Sequence, residues 1–166
     1  LVPIGNTPML EDWLQKLEKV NCSETLVNTH YLAAQVQDYL SRRRKSNMQI
    51  KIVYEPELLG TGGTLLSNLE YFDTDIGIII HADNATDFEL GELIEAHNQR
   101  PSECLLTMLT FTTDSPQNCG IIEKNQSNIV TAFHEKQKYP KGNEANAAVY
   151  VFSQEFIKTI KQLDGT

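Results

Sequence analysis

The sequence predicts a doubly wound α/β fold with a mostly parallel sheet, on two observations. Helix-like and strand-like segments alternate over the first two-thirds of the chain, as they do in βαβ units. Two strand-like segments, at residues 76–83 and 104–111, are almost continuously apolar, which is typical of a parallel sheet covered on both faces. The length of 166 residues predicts one domain with the bounds 1–166.

The elements of the first half follow from apolar spacing and turn residues. A helix is expected from Pro8, with Thr7 as its N-cap, because Trp13, Leu14 and Leu17 recur at helical spacing. The elements that follow are a strand at residues 24–30, a helix at 32–40, a strand at 50–55, a glycine-rich turn and a helix at 64–71.

The second half begins with the two apolar strands, separated by a helix at residues 90–98. After Phe111, short strands alternate with polar turns, which predicts a small region of mixed strands. The last helix is expected from Gln154.

Composition excludes several classes of partner. The formal net charge of −8 argues against a nucleic acid or an anionic membrane as the partner. No apolar run approaches the roughly 20 residues that span a bilayer. The three cysteines show no metal-ligand spacing, and free thiols indicate a reducing, cytoplasmic location.

The segment from Glu55 to Leu66, EPELLGTGGTLL, carries three glycines between a strand and a helix. Glycine lets a ligand approach the backbone, and a helix N-terminus offers N–H groups to an anion or a base edge. A tight turn without a ligand is the alternative. The spacing fits neither a P-loop nor GxGxxG.

Asp83 follows the most apolar strand. In open α/β sheets, ligands bind outside the carboxyl ends of strands, so Asp83 is a candidate Mg²⁺ ligand. The alternative is that it caps the following turn.

Two further segments carry candidate ligands for a sugar phosphate. Glu135 and Lys136 end a strand and are expected on opposite faces, where one would accept sugar hydroxyls and the other would meet a phosphate. An exposed ion pair is the alternative. Asn146 precedes a stretch of small residues, against which a flat ligand could lie. The alternative is that these small residues only pack closely at the start of a strand.

The order of these segments resembles the sugar-1-phosphate nucleotidylyltransferases. The residues that carry the resemblance are LVPIGNTPML, LLGTGGTL, HADN, CGIIE, FHEK and NAAVYVF, and they extend over the whole chain. Within the family, the sequence is most similar to the mannose- and heptose-1-phosphate guanylyltransferases. The resemblance implies a Rossmann-like, three-layer α/β/α nucleotidyltransferase fold and the transfer of NMP from an NTP to a sugar 1-phosphate, with Mg²⁺.

The resemblance also implies roles for individual residues. Asp83 would hold the metal and the nucleotide, Gly120 would line the sugar pocket, and Glu135 and Asn146 would bind the sugar. Lys136 would meet the sugar phosphate and, with Asp83, form the catalytic pair. The nucleobase would lie against Gly60 and its loop neighbours Leu59, Thr61, Gly63 and Thr64.

Glu55 leads to a hypothesis about the base. A carboxylate only accepts hydrogen bonds, and guanine presents adjacent N1–H and N2–H donors, so Glu55 is expected to select GTP. The rivals are a uridylyltransferase for an amino-sugar 1-phosphate, a non-catalytic nucleotide-binding regulatory relative, and an unrelated Rossmann-like binding domain.

The sequence departs from the family pattern at both ends and near the sugar pocket. It lacks the GxGTRL-type opening and the second metal aspartate, so we expect an incomplete domain that forms a homo-oligomer or is weakly stable alone. Ala148 stands near a position where many relatives have glycine.

Overall fold

The computed structural model describes residues 1–44, 46–72 and 74–164, with side chains up to residue 162. The α/β class is confirmed. The elements in chain order are β1 (Pro3–Ile4), β2 (Thr7–Pro8), α1 (Met9–Lys19), β3 (Glu24–Thr29), α2 (Ala33–Arg42), β4 (Gln49–Tyr54), α3 (Gly60–Ser67), β5 (Ile76–Ile80), α4 (Leu90–Asn98), β6 (Leu106–Thr112), β7 (Gly120–Lys124), β8 (Val130–Glu135), β9 (Glu144–Ser153) and α5 (Gln154–Asp164).

The chain separates into two compact units. The first contains Leu1–Asp73, Ala85–Gly91 and Ile157–Thr166, and the second contains Thr74–Asn84 and Glu92–Phe156. None of the described helices is both long enough and apolar enough to cross a membrane. The predicted single domain over 1–166 stays a prediction.

Helix α1 supplies the apolar centre of the first unit. Trp13, Leu14 and Leu17 lie on one face of the helix and are almost fully buried. The predicted N-cap at Thr7 is wrong, because Thr7 and Pro8 pair as β2 with β1, and Pro8 takes the N-cap position without a side-chain cap. The missing N–H of proline costs nothing at the start of a helix.

An ion-pair cluster joins α1 to the end of α2. Arg43, only 9% exposed, donates from Nε and Nη2 to Glu11 at 2.7 and 3.0 Å and from Nη1 to Glu18 at 2.9 Å. Tyr39 also donates to Glu11 at 3.0 Å. Although burial opposes ionisation of Glu11, the hydrogen bonds from Arg43 and Tyr39 lower the pKa of its carboxyl. The cluster therefore holds two helices by charge-assisted bonds.

Strands β3 and β4 form a parallel pair in the first unit. Their register runs from Glu24 opposite Gln49 to Thr29 opposite Tyr54, so both strands end at the same edge. Glu55 follows β4 directly at this edge.

The second unit contains a five-stranded sheet with β9 at its centre. Strand β9 pairs with β5 along one edge, with β6 along the other and with β7 near its start, and β7 pairs with β8. All these pairings are antiparallel, so among the described strands only β3 and β4 pair in parallel. The sheet is less parallel than predicted because β9 lies between β5 and β6, the two strands whose apolar runs suggested parallel neighbours.

His97 connects α4 to β6 inside the second unit. Its side chain is fully buried, and Nδ1 lies 2.9 Å from Oγ1 of Thr107. Burial, with a smaller contribution from the positive charge of Arg100, lowers the pKa of His97 to about 4. The imidazole is therefore neutral at physiological pH.

Candidate functional site

Glu55 occupies the carboxyl end of the parallel pair in the first unit. Its N–H donates to the Thr29 carbonyl at 2.8 Å, and its own carbonyl accepts from Nδ1 of His30 at 2.8 Å. The residue is 4% exposed, and its Oε1 accepts a 2.6 Å hydrogen bond from the Thr64 hydroxyl. Oε2 is buried without a hydrogen-bond partner in the described part of the chain. A buried acceptor in this state is costly unless a ligand supplies a donor.

The glycine-rich segment forms the first turns of α3 rather than a loop before a helix at residue 64. The helix begins at Gly60, whose φ of +69° is a left-handed conformation that favours glycine. Leu59 takes the N-cap position and makes no side-chain cap bond. Thr61, Gly63 and Thr64 lie within the first five residues of the helix. The predicted nucleotide-binding residues of this unit thus surround one helix N-terminus.

A cleft of about 380 Å³ opens beside Glu55. This volume lies within the range of roughly 300–1,000 Å³ found for small-molecule sites. The cleft is contained in the first unit, and its walls come from the end of β4, the segment before α3 and the end of α3. The lining residues are Val53, Tyr54, Glu55, Pro56, Glu57, Leu59, Ser67 and Asn68.

Asn146 lies at a bulge in strand β9 of the second unit. The register with β6 shifts between Met108 and Thr110, and Ala148 has a φ of +55°. This left-handed conformation explains why glycine suits the neighbourhood, since it costs other residues about 1–2 kcal/mol. Oδ1 of Asn146 accepts the Ala148 N–H at 2.8 Å, and Nδ2 donates to the Tyr150 hydroxyl. The side chain of Asn146 therefore stabilises the bulge.

The turn that carries Asp83 is fastened to the same bulge. The N–H of His81 donates to the Ala148 carbonyl at 3.0 Å, and Nδ2 of Asn84 donates to the Ala147 carbonyl at 2.9 Å. Strand β5 ends at Ile80, three residues earlier than predicted, so Asp83 lies in this turn and is exposed. The turn therefore holds the exposed Asp83 directly before Asn84, which is hydrogen-bonded to the bulge.

The predicted sugar-binding residues lie on one row across the sheet. Gly120 pairs with Glu135, and Asn146 pairs with Thr110. Because Ile121 pairs with Ala145, the next position along β7 and β9 sets Gly120 beside Asn146. Residues far apart in sequence are thus brought to neighbouring positions on β6, β9, β7 and β8.

Lys136 departs from the predicted geometry. Strand β8 ends at Glu135, and Lys136 has a φ of +40°, so the alternation of faces stops there. Its Nζ lies 3.8 Å from Oε1 of Glu135, and both side chains are largely exposed. The expectation of opposite faces is wrong, because the left-handed backbone turns the ammonium towards the carboxylate. The site therefore has an acceptor and a cation side by side.

Two features of this region were missed by sequence reasoning. Oε1 of Glu144 accepts from Lys124 at 2.7 Å and from Thr110 at 2.9 Å, and the bond from Lys124 lowers the pKa of the Glu144 carboxyl. The ring of Phe133 lies over Gly120, where a Cβ would come within 2.5 Å of its Cζ. Partners separated by 13 to 34 residues give no local sequence signal.

The described residues contain no group of three or more His, Cys, Asp or Glu side chains arranged to hold a metal ion. Asp83 on its own could supply only one carboxylate to a metal ion. Mg²⁺ commonly binds through one or two carboxylates and takes its other ligands from phosphates and water. The assignment of Asp83 as a magnesium ligand stays a prediction.

Comparison with known families identifies the chain. A model of the nucleotidyl transferase family matches residues 1–166. The chain belongs to the nucleotidyl transferase family. This match confirms the predicted family. The roles of the individual candidate residues in binding the nucleotide, the metal and the sugar stay predictions.

Relatives of this nucleotidyl transferase are named for different sugars and bases, such as mannose-1-phosphate guanylyltransferase and glucose-1-phosphate adenylyltransferase. This chain is 24% identical over 162 residues to mannose-1-phosphate guanylyltransferase of Mycobacterium tuberculosis, covering 98% of the chain and 45% of the relative. It is 24% identical over 164 residues to the bifunctional protein GlmU of Methanococcus aeolicus, covering 98% of the chain and 37% of the relative. The chain thus spans less than half the length of these two relatives.

Solved structures share the fold. A putative glucose-1-phosphate thymidylyltransferase from Bacillus anthracis, in complex with a sucrose, matches with a TM-score of 0.84 at 20% identity, covering 98% of this chain and 65% of that one. HddC from Yersinia pseudotuberculosis, complexed with GMP-PN, matches with a TM-score of 0.74 at 21% identity, covering 95% and 68%. At these identities the likeness shows the nucleotidyltransferase fold alone.

Proposed function

We propose that this chain forms the nucleotide-binding and sugar-phosphate-binding part of a sugar-1-phosphate nucleotidyltransferase. The favoured donor is GTP, and the favoured acceptor is a sugar 1-phosphate of the mannose or heptose type. The products are an NDP-sugar and pyrophosphate. A cytoplasmic location belongs to the proposal, since Cys22, Cys104 and Cys119 are free thiols.

One observation carries the proposal: Glu135, Gly120 and Asn146 share a row of the sheet, and the Asp83 turn is bonded to the bulge beside Asn146. This row combines carboxylate and amide groups for hydroxyls with the cation of Lys136 for a phosphate. The turn bonded to the bulge carries the exposed carboxylate of Asp83, the proposed Mg²⁺ ligand. The set matches the needs of a sugar 1-phosphate that meets a metal-bound triphosphate.

The choice of GTP rests on Glu55 in the first unit. Its Oε2 is a buried acceptor without a protein donor in the described part of the chain, beside a cleft of about 380 Å³. Guanine offers N1–H and N2–H on one edge, whereas uracil offers one N–H between two carbonyls. A guanine edge would therefore satisfy the carboxylate.

Mg²⁺ is the proposed cofactor, with Asp83 as its protein ligand. When bound, the ion would neutralise charge on the triphosphate, so that a second polyanion can approach. The first-turn N–H groups of α3 would orient the nucleotide, and Lys136 would orient the sugar phosphate.

The reaction in this proposal is an in-line displacement. An oxygen of the sugar phosphate forms a bond to the α-phosphorus, and the bond from that phosphorus to the bridging oxygen of pyrophosphate breaks. The protein contributes positioning and charge stabilisation rather than a covalent intermediate.

The experiment is calorimetric titration of GTP, UTP, CTP and dTTP with Mg²⁺ into wild type and Glu55→Gln, followed by assays of pyrophosphate release with mannose 1-phosphate and heptose 1-phosphate. We expect the wild type to prefer GTP and Glu55→Gln to lose affinity for GTP by roughly tenfold or more, because a bond to a charged acceptor is lost. An unchanged order of nucleotides in Glu55→Gln would remove the guanine assignment. A preference for UTP together with an amino-sugar 1-phosphate would favour the uridylyltransferase alternative, and binding without pyrophosphate release would favour the regulatory one.

A further inference from the structure

Phe133 exposes an aromatic ring on the row next to the predicted sugar-binding residues. It is 47% exposed and pairs with Ile122 of β7, while Glu135, two residues later in β8, pairs with Gly120. Residues two apart in a strand project from the same face. Phe133 and Glu135 therefore face the same space.

The ring and the carboxylate meet above Gly120. A Cβ at position 120 would lie 2.5 Å from Cζ of Phe133 and 2.9 Å from Oε2 of Glu135. The two side chains thus converge on the space that the absent Cβ leaves. An apolar ring lies directly beside an exposed hydrogen-bond acceptor.

We propose that Phe133 is the platform on which the sugar ring of the substrate lies, an inference that rests on the proposed function. Sugar rings present C–H groups of partial positive charge, which favour the negative face of an aromatic ring. Their hydroxyls are donors, and a carboxylate only accepts. Phe133 would therefore hold the ring of a pyranose while Glu135 fixes one of its hydroxyls.

This pairing makes Phe133 a specificity-determining residue. A linear phosphomonoester has a phosphate for Lys136 but no ring face for Phe133. The site should therefore prefer a hexose 1-phosphate to glycerol 1-phosphate, and the preference should depend on the aromatic ring at position 133.

A purely structural role for Phe133 has a different consequence. An aromatic side chain that only covers the glycine backbone of a neighbouring strand stabilises the sheet. Its removal would lower stability and weaken all ligands alike. The ratio of affinities for ring-containing and linear phosphates separates the two roles.

The test is calorimetric titration of mannose 1-phosphate and glycerol 1-phosphate into wild type, F133L, F133Y and F111L. Phe111 is the matched control, since it is 45% exposed on β6. We expect F133L to weaken mannose 1-phosphate by about 5- to 10-fold, as for the loss of one aromatic contact, and to leave glycerol 1-phosphate unchanged. F133Y and F111L should both bind as the wild type does.

Equal losses for both ligands in F133L, or no loss for mannose 1-phosphate, would overturn the inference. If F133L does not fold, saturation-transfer NMR on the wild type decides, because saturating aromatic protons should transfer to the sugar ring protons, and a lack of transfer overturns it. A wild type that binds no sugar 1-phosphate removes both the proposed function and this inference. A wild type that binds mannose 1-phosphate while F133L binds it equally well removes the inference alone.

Discussion

Oε2 of Glu135 lies 2.9 Å from the position that a Cβ on residue 120 would occupy, so the carboxylate fills space that only glycine leaves open. The two residues form a cross-strand pair between β7 and β8. The position of the Glu135 carboxylate on β8 thus depends on the absence of a side chain at residue 120 of β7. Adding a methyl group at residue 120 tests this dependence.

Gly120→Ala should lower the affinity for a sugar 1-phosphate by about tenfold or more, because Glu135 and Phe133 must both move. GTP affinity should not change. Gly91→Ala is the control, since a Cβ there meets nothing within 4 Å and α4 should gain stability. Calorimetry with both ligands measures the effect, and equal sugar-phosphate affinities in the two variants would contradict the account.

Arg43→Gln should lower the free energy of unfolding by about 2–4 kcal/mol, because it leaves Glu11 and Glu18 without their cationic partner in a largely buried cluster. Arg42→Gln is the matched control. Arg42 pairs with Asp38 at 2.6 Å, but its side chain is 77% exposed. Arg42→Gln should therefore lower the free energy of unfolding by less than about 1 kcal/mol. Urea unfolding followed by the fluorescence of the buried Trp13 measures both, and similar losses would be the contrary result.

Stability should fall between pH 6.5 and pH 4 because of His97. Its folded pKa of about 4 lies below the ordinary value of 6.5, so the unfolded chain binds the proton first as pH falls. The contribution is fully present above pH 6.5 and declines by at most about 1.4 kcal/mol per pH unit towards pH 4.

His97→Gln has no titrating ring, so its stability should fall less steeply over this pH range than that of the wild type. Urea unfolding at several pH values compares the two slopes. Identical slopes would show that His97 is not the titrating group.

Sequence periodicity located most elements, because helices and strands leave local patterns. Helix α4 begins and ends at the predicted residues, and α5 starts at its predicted residue. The class of the fold followed from the order of these elements.

Backbone conformations with positive φ account for two of the differences between the predicted and the observed structure. The positive φ of Gly60 begins α3 four residues before the predicted start, and the positive φ of Lys136 ends the alternation of faces along β8. Lysine gives no sequence signal for this conformation, and a run of glycines fits a loop and a helix start equally well.

The remaining differences come from long-range pairing. Strand β9 lies between β5 and β6, so the apolar runs of those strands reflect burial beside an antiparallel neighbour. The contacts of Phe133 with Gly120 and of Arg43 with Glu11 depend on how separate elements pack. The candidate residues could be selected from the motifs, but their arrangement on one row of the sheet could not.

Two residues carry the central proposal: Glu55 selects the base of the nucleotide, and Asp83 holds the Mg²⁺ that accompanies it. The most direct measurement is the affinity for GTP and for guanosine, with and without Mg²⁺, in wild type, Glu55→Gln, Asp83→Asn and the control Asp87→Asn. Mg²⁺ should tighten GTP binding by about tenfold or more in wild type and Asp87→Asn but not in Asp83→Asn. Guanosine binding should be lost only in Glu55→Gln. Either of two results would contradict the proposal. One is that Mg²⁺ tightens GTP binding as much in Asp83→Asn as in wild type, and the other is that Glu55→Gln binds guanosine as tightly as wild type.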